Sequence, residues 1–339
     1  MLNHKHTSVT LPNALTLESG ATLSKVDVAF NTYGELNQDR SNAVLVIHAL
    51  TGWPAAHEWW GGLIGEGKLI DPREHFIISP NLLGSCYGTT GPASINPATG
   101  KAYNATFPEI TPRDMARTIL ALLDVIGVKT VQLAIAGSLG GMVILEASSL
   151  APERFEAIAP IAVSGSHSAW RIAYSSCVRK IITSADPTLL SASKLQEGMR
   201  LARQVAMATY RSPREFDERF GRERKIKKFE VENYLEHQGD KIVARFSPYS
   251  YLTLTRAMEL YELATPVRFA NPALFVGISS DVLYEPSEIS NFASQFPHGE
   301  FALLDAVHGH DSFLVDTDAL AEIVRPFLTS VTRKEEALA

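Results

Sequence analysis

The chain reads as an α/β protein: a mostly parallel sheet with helices on both faces and an inserted helical lid. Three observations predict this. Apolar runs such as 44–47 and, Gln132 apart, 131–135 suit interior parallel strands, which are buried on both sides. Amphipathic runs alternate with them up to about Val163. From about His167 to Leu263 the strand-like runs give way to Arg, Lys, Glu and Tyr at helical spacing, after which the strand pattern returns. The expected layout is a first core portion over 1–166, a helical lid over 167–263 and a second core portion over 264–339.

The run Val44-Leu45-Val46-Ile47-His48 leads into the turn Ala49-Leu50-Thr51-Gly52, where an amide can face a reacting carbonyl. The N–H of Leu50 is the expected donor. A helix begins near Asp114, just after Pro112, because Met115, Ile119, Leu122 and Leu123 form a 3.6-residue stripe. Next, Ala136-Gly137-Ser138-Leu139-Gly140-Gly141 joins the apolar run 131–135 to the amphipathic run 142–150. Strand, sharp turn and helix in that order lift one hydroxyl above the carboxyl edge of a sheet, with small neighbours where a Cβ would clash. Ser138 is therefore the candidate nucleophile. The helix N-terminus points N–H groups and its dipole at that hydroxyl, and the N–H of Leu139 becomes a second oxyanion donor.

A serine hydroxyl is a weak nucleophile until a base takes its proton, so this turn demands a histidine and an orienting acid downstream. The buried run 272–278 ends at Ser279-Ser280-Asp281, which makes Asp281 the candidate acid. A further short strand, 301–304, leads into Asp305-Ala306-Val307-His308-Gly309-His310-Asp311, and there two histidines compete for the role of base. His310, at the join of loop and helix, is preferred. His308, nearer the strand, would instead support the loop by hydrogen bonding.

Composition narrows the function classes. The 339 residues are 45% hydrophobic and 20% charged, enough for one large core plus an insertion, and the formal charge of -6 argues against a nucleic-acid partner. Two cysteines, Cys86 and Cys177, supply neither a disulfide framework nor a zinc cluster, so a reducing, cytoplasmic compartment fits best, and no metal site is expected because the histidines form no compact pair with carboxylate or cysteine neighbours at ligand spacing. No run reaches membrane-spanning length, and no membrane association is expected. The basic run Arg222-Glu223-Arg224-Lys225-Ile226-Lys227-Lys228 reads as a solvated helix face or loop, with attraction of a donor's phosphates as the alternative.

Several blocks together carry a resemblance. These are Ala136-Gly137-Ser138-Leu139-Gly140-Gly141-Met142, Asn81-Leu82-Leu83-Gly84-Ser85-Cys86-Tyr87-Gly88, His48-Ala49-Leu50-Thr51-Gly52 and Gly309-His310-Asp311-Ser312-Phe313-Leu314. Over nearly its whole length the chain resembles the homoserine O-acetyltransferase family of α/β-hydrolase-fold acyltransferases. The resemblance implies a two-step transfer from acetyl-CoA, as co-substrate and with no bound cofactor, to the hydroxyl of L-homoserine on the route to methionine. Ser138 would take the acyl group, His310 would act as base and acid, Asp281 would orient it, and Leu50 and Leu139 would supply oxyanion donors. It further implies that Arg203 and Tyr210 bind substrate from one helical face of the lid, Arg203 through the amino-acid carboxylate, and that Asp311 accepts from the amino group. A homodimer through the lid is also implied. Alternatives within the fold are a serine acyltransferase, a homoserine O-succinyltransferase and a carboxylesterase-type hydrolase. The chain departs from the family at Ala136 (usually Gly) and Leu139 (usually Met). It also has a shortened lid between Asp186-Pro187 and Arg203, and altered residues at Ser247-Pro248-Tyr249 and Glu259-Leu260-Tyr261-Glu262.

Overall fold

The structure, a computed structural model, describes residues 4–264 and 268–338. Eight strands form one sheet: β1 (His4–Thr10), β2 (Asp27–Tyr33), β3 (Ala43–Ile47), β4 (Phe76–Pro80), β5 (Leu133–Gly137), β6 (Ile158–Ile161), β7 (Ala273–Ile278) and β8 (Gly299–Leu304). Their spatial order is β1-β2-β4-β3-β5-β6-β7-β8. The β1/β2 and β2/β4 pairs are antiparallel and every other pair is parallel. The period of two then sorts the apolar runs between two cores: in β3, Leu45 and Ile47 join one and Val44 and Val46 the other.

Helix α1 (Pro112–Val125) covers the first core with Met115, Ile119, Leu122 and Leu123. It starts two residues before the expected Asp114, because Thr111 is its N-cap, Pro112 stands at the first turn and Asp114 completes a capping box. Helix α2 (Leu139–Leu150) lies on the same face and is almost wholly buried.

After β6 the chain leaves the sheet for α3 (Ala169–Ala185), α4 (Ala192–Tyr210), α5 (Pro213–Phe220), α6 (Glu230–Val243) and α7 (Pro248–Glu259), before returning as β7. Helix α4 packs between α3 and α6. Asp186 closes the α3–α4 turn by accepting the N–H groups of Thr188 (3.1 Å) and Ser191 (2.6 Å). Of the two forms expected of the basic run, solvated helix face or loop, it takes the loop. Arg224–Lys225 pairs with Lys228–Phe229 in a small hairpin, with Ile226 at its tip, while Lys225 and Lys228 are matched to Glu230 and Glu236.

The core resumes with α8 (Pro286–Ala293), which packs Ile289 and Phe292 on the first core. Helix α9 (Thr317–Leu338) covers the second core with Leu320, Val324, Phe327 and Leu328. Strand β8 forms the sheet edge, so its apolar residues Phe301 and Leu303 stay partly exposed. The parallel strands end on one edge of the sheet, and the loops leaving β3, β5, β7 and β8 there meet beneath the lid.

Candidate active site

Ser138 links β5 to α2 with φ 55° and ψ −126°, a conformation that costs a non-glycine residue about 1–3 kcal/mol and persists only where its surroundings impose it. Those surroundings are visible in its glycines. A Cβ on Gly137 would lie 2.5 Å from the Phe313 ring, and one on Gly140 would lie 2.6 Å from the Ile47 carbonyl oxygen. The second is backbone and cannot yield. Ala136 is fully buried, and its methyl would sit only 3.0 Å from a Cβ at Gly140. The extra carbon at 136 is thus accommodated by the missing one at 140.

Asp281 and His310 come together at the ends of β7 and β8. His310 Nδ1 lies 2.7 Å from Asp281 Oδ2, and Asp281 Oδ1 accepts the N–H groups of Leu283 (2.7 Å) and Tyr284 (3.2 Å). Both carboxylate oxygens are therefore spoken for, which fixes the ring's tautomer with the proton on Nδ1 and leaves Nε2 to act as base. Burial disfavours the charged ring, but the Asp281 carboxylate outweighs it and raises the His310 pKa. His308 bonds elsewhere, its Nδ1 lying 2.8 Å from Asp316 Oδ2 just before α9. It has the loop-supporting place considered for it.

Ser138 and His310 line one cavity of about 200 Å³ together with Leu50, Arg203, Tyr210 and Asp311. No hydrogen bond joins Ser138 to His310 among the described residues. Such contacts often tighten only when substrate is bound. Leu139 is the first residue of α2, its side chain buried and its N–H without an acceptor inside the helix. The guanidinium carbon of Arg203 lies 5.0 Å from the centre of the Tyr210 ring, whose own centre is 6.3 Å from that of His310. Asp311 lines the cavity but also lies 3.3 Å from Arg211 Nε, so its charge is shared with the lid. The departures at 247–249 and 259–262 lie outside the cavity wall: Ser247 caps α7, Tyr249 donates to the Leu189 carbonyl (2.9 Å), and Glu259 pairs with Arg179.

Sequence reasoning missed four side chains that shape this site. His48 donates from Nδ1 to the Ala49 carbonyl (2.8 Å) and accepts the Leu82 N–H on Nε2 (3.2 Å), bracing the turn that presents Leu50. Arg245 donates to the Thr51 carbonyl (2.6 Å) in the same turn. Tyr284 stacks on His310 with ring centres 5.7 Å apart, and Arg171 lies over Tyr284. Apart from the Ala49 carbonyl next to His48, their partners are distant in sequence, so no local spacing announces them.

Burial pushes the pKa of both His48 and His167 down to about 4. An unfolded imidazole titrates near 6.5, so below that pH the unfolded chain binds more protons than the folded one. Stability should therefore fall as pH drops from about 6.5 toward 4, whereas the raised His310 contributes its change only above that window. Urea midpoints across this range test it; a flat profile would mean the two rings are protonated within the fold.

The α/β-hydrolase-fold family model matches residues 42–317. Homoserine O-acetyltransferase of Trichormus variabilis is 45% identical over 338 residues, covering 96% of this chain and 94% of that one. The crystal structure of homoserine O-acetyltransferase from Bacillus anthracis superposes with a TM-score of 0.86 at 22% identity, covering 97% of this chain and 98% of that one. Esterase E22 superposes equally well, with a TM-score of 0.86 at 23% identity over 97% of this chain and 100% of that one.

Proposed function

The chain belongs to the homoserine O-acetyltransferase family within the α/β-hydrolase fold, and on that premise we propose that it moves an acetyl group from acetyl-CoA to the hydroxyl of L-homoserine, a step toward methionine. The observation that carries this reading is the strained Ser138 sharing a lidded cavity with an Asp281-paired His310.

His310 Nε2 takes the proton of Ser138 as Oγ attacks the thioester carbonyl. The resulting oxyanion is held by the N–H groups of Leu50 and Leu139. Collapse breaks the C–S bond, and His310 returns its proton to the leaving thiolate. In the second half, homoserine gives its hydroxyl proton to His310 while its oxygen attacks the acyl-serine, and release of Ser138 Oγ, reprotonated by His310, restores the enzyme. Arg203, with no carboxylate of the described residues paired to it, is free to grip the substrate carboxylate beside Tyr210, and Asp311 takes its amino group.

Among the described residues no helix is long and apolar enough to cross a membrane. Both cysteines are free thiols, which supports a cytoplasmic setting. Trp170, Leu201 and Val205, on α3 and α4, are 58%, 48% and 41% exposed, an apolar lid face that supports a homodimer there.

Thiol release from acetyl-CoA should depend on homoserine, with serine and succinyl-CoA poor substitutes. Release unaffected by homoserine, with fast turnover of an aryl acetate, would instead favour the hydrolase reading that the likeness to an esterase keeps in view. Arg203→Ala should raise the homoserine KM about 10- to 100-fold, the equivalent of one charge-assisted hydrogen bond, and leave thiol release in the first half-reaction nearly intact. Loss of the first step would assign Arg203 to the donor or to the lid's folding.

A further inference from the structure

We infer that Arg171, a lid residue, is the positioning residue that holds the acid and base of the triad in register. This rests on the acyl-serine reading of the same site. Arg171 stands in the first turn of α3 and is only 3% exposed. Its Nη1 donates to the Leu283 carbonyl (2.7 Å) and to Glu288 Oε2 (2.8 Å), and its Nη2 donates to Glu288 Oε1 (2.6 Å) and to the Ser166 carbonyl (3.0 Å). Its planar face lies 4.1 Å from the centre of the Tyr284 ring.

Leu283 and Tyr284 are the two residues whose N–H groups hold Asp281 Oδ1. The guanidinium thus grips the carbonyl of one and the ring of the other. Tyr284 touches both, with Arg171 against its ring and the His310 imidazole stacked on it at an interplanar angle of 24°. One lid side chain therefore braces the acid through its backbone and the base through an aromatic plate. A guanidinium suits the task because its fork spans Glu288 and the Leu283 carbonyl while its face stays available for stacking; an ammonium cannot do all three. Seating the lid and aligning the triad become one event.

Arg171 also bears on the base's proton affinity: its positive charge opposes protonation of His310, a smaller effect than burial or the Asp281 carboxylate. The other groups facing that ring are Asp281 and Tyr284 from the loop after β7, Asp311 from its own turn, Tyr210 from α4 and His167 from the segment before α3. Arg203, over the Tyr210 ring, is a second cation on the same cavity, and Arg171 is the one seated against Tyr284.

The test compares the full-length protein with Arg171→Met and Arg171→Lys in two ways. One is the pH dependence of thiol release from acetyl-CoA, resolved into kcat and KM; the other is the downfield proton resonance of the His310 Nδ1–H bonded to Asp281, which needs no substrate. Arg171→Met should lower kcat about 10²-fold with little change in KM, as a small misplacement of reacting groups does, and should move the acid limb to higher pH. Arg171→Lys should lose about 10-fold in kcat while keeping the acid limb near its wild-type position, because the charge remains and the span does not. Both variants should shift or broaden the Nδ1–H resonance.

An unchanged resonance with wild-type kcat in either variant would overturn the inference, as would a rise in KM alone. If the Met variant does not fold, the Lys variant decides by the same two readouts. Should the wild-type protein prove indifferent to homoserine, the proposed function fails but the resonance still judges Arg171.

Discussion

Replacing Ser138 by alanine should leave the protein folded and stop acylation, lowering kcat by about 10⁶-fold, the scale seen when a triad nucleophile is lost. Only the Oγ is removed, and alanine tolerates the same strained turn about as well as serine does, so the urea midpoint should move little. The residual rate would come from the oxyanion donors at Leu50 and Leu139 and from binding alone. Kinetics of thiol release and of aryl acetate turnover should fall together. A Ser138→Ala protein that kept either activity would place the nucleophile elsewhere.

The second large effect separates the two histidines. His310→Ala should cost about 10⁴- to 10⁶-fold in kcat, because the Oγ loses its base and the Asp281 carboxylate is left buried without its partner. His308→Ala should cost less than about 10-fold in rate and about 1 kcal/mol in stability, since what disappears is one hydrogen bond to Asp316 on the approach to α9. Steady-state rates and denaturation midpoints of both variants measure this directly. The opposite ranking would show that the imidazole bonded to Asp316 is the base.

The parts of this site legible in the chain are those whose cause is local. A glycine-flanked serine between a buried strand and a helix can be read because the turn's own sterics demand those residues, and the structure gives Ser138 the positive φ that goes with them. Asp281 and His310 were legible from their places after strand-like runs, since strands of one parallel sheet deliver their trailing loops to the same edge. Arg171 was not legible. Its place within α3 says only that a helix passes, and its partners lie on the other side of the lid insertion, at Leu283 and Glu288. His48 ends an apolar strand-like run, and nothing in the sequence shows that Leu82 reaches its ring. The basic run takes the solvated loop form rather than the helix face: Ile226 adopts a left-handed turn, and Phe229 packs under Arg222 and Arg224, which closes a hairpin.

A covalent acetyl group should form on one hydroxyl and be discharged by an amino-acid alcohol. Intact-mass and peptide analysis of the protein after brief exposure to acetyl-CoA, with and without homoserine, tests it most directly. The expected result is a single acetyl on the peptide bearing Ser138, lost within the turnover time when homoserine is added and matched by O-acetylhomoserine in solution. An acetyl on any other residue, or one that leaves Ser138 for water at the same rate whether homoserine is present or not, would contradict the account.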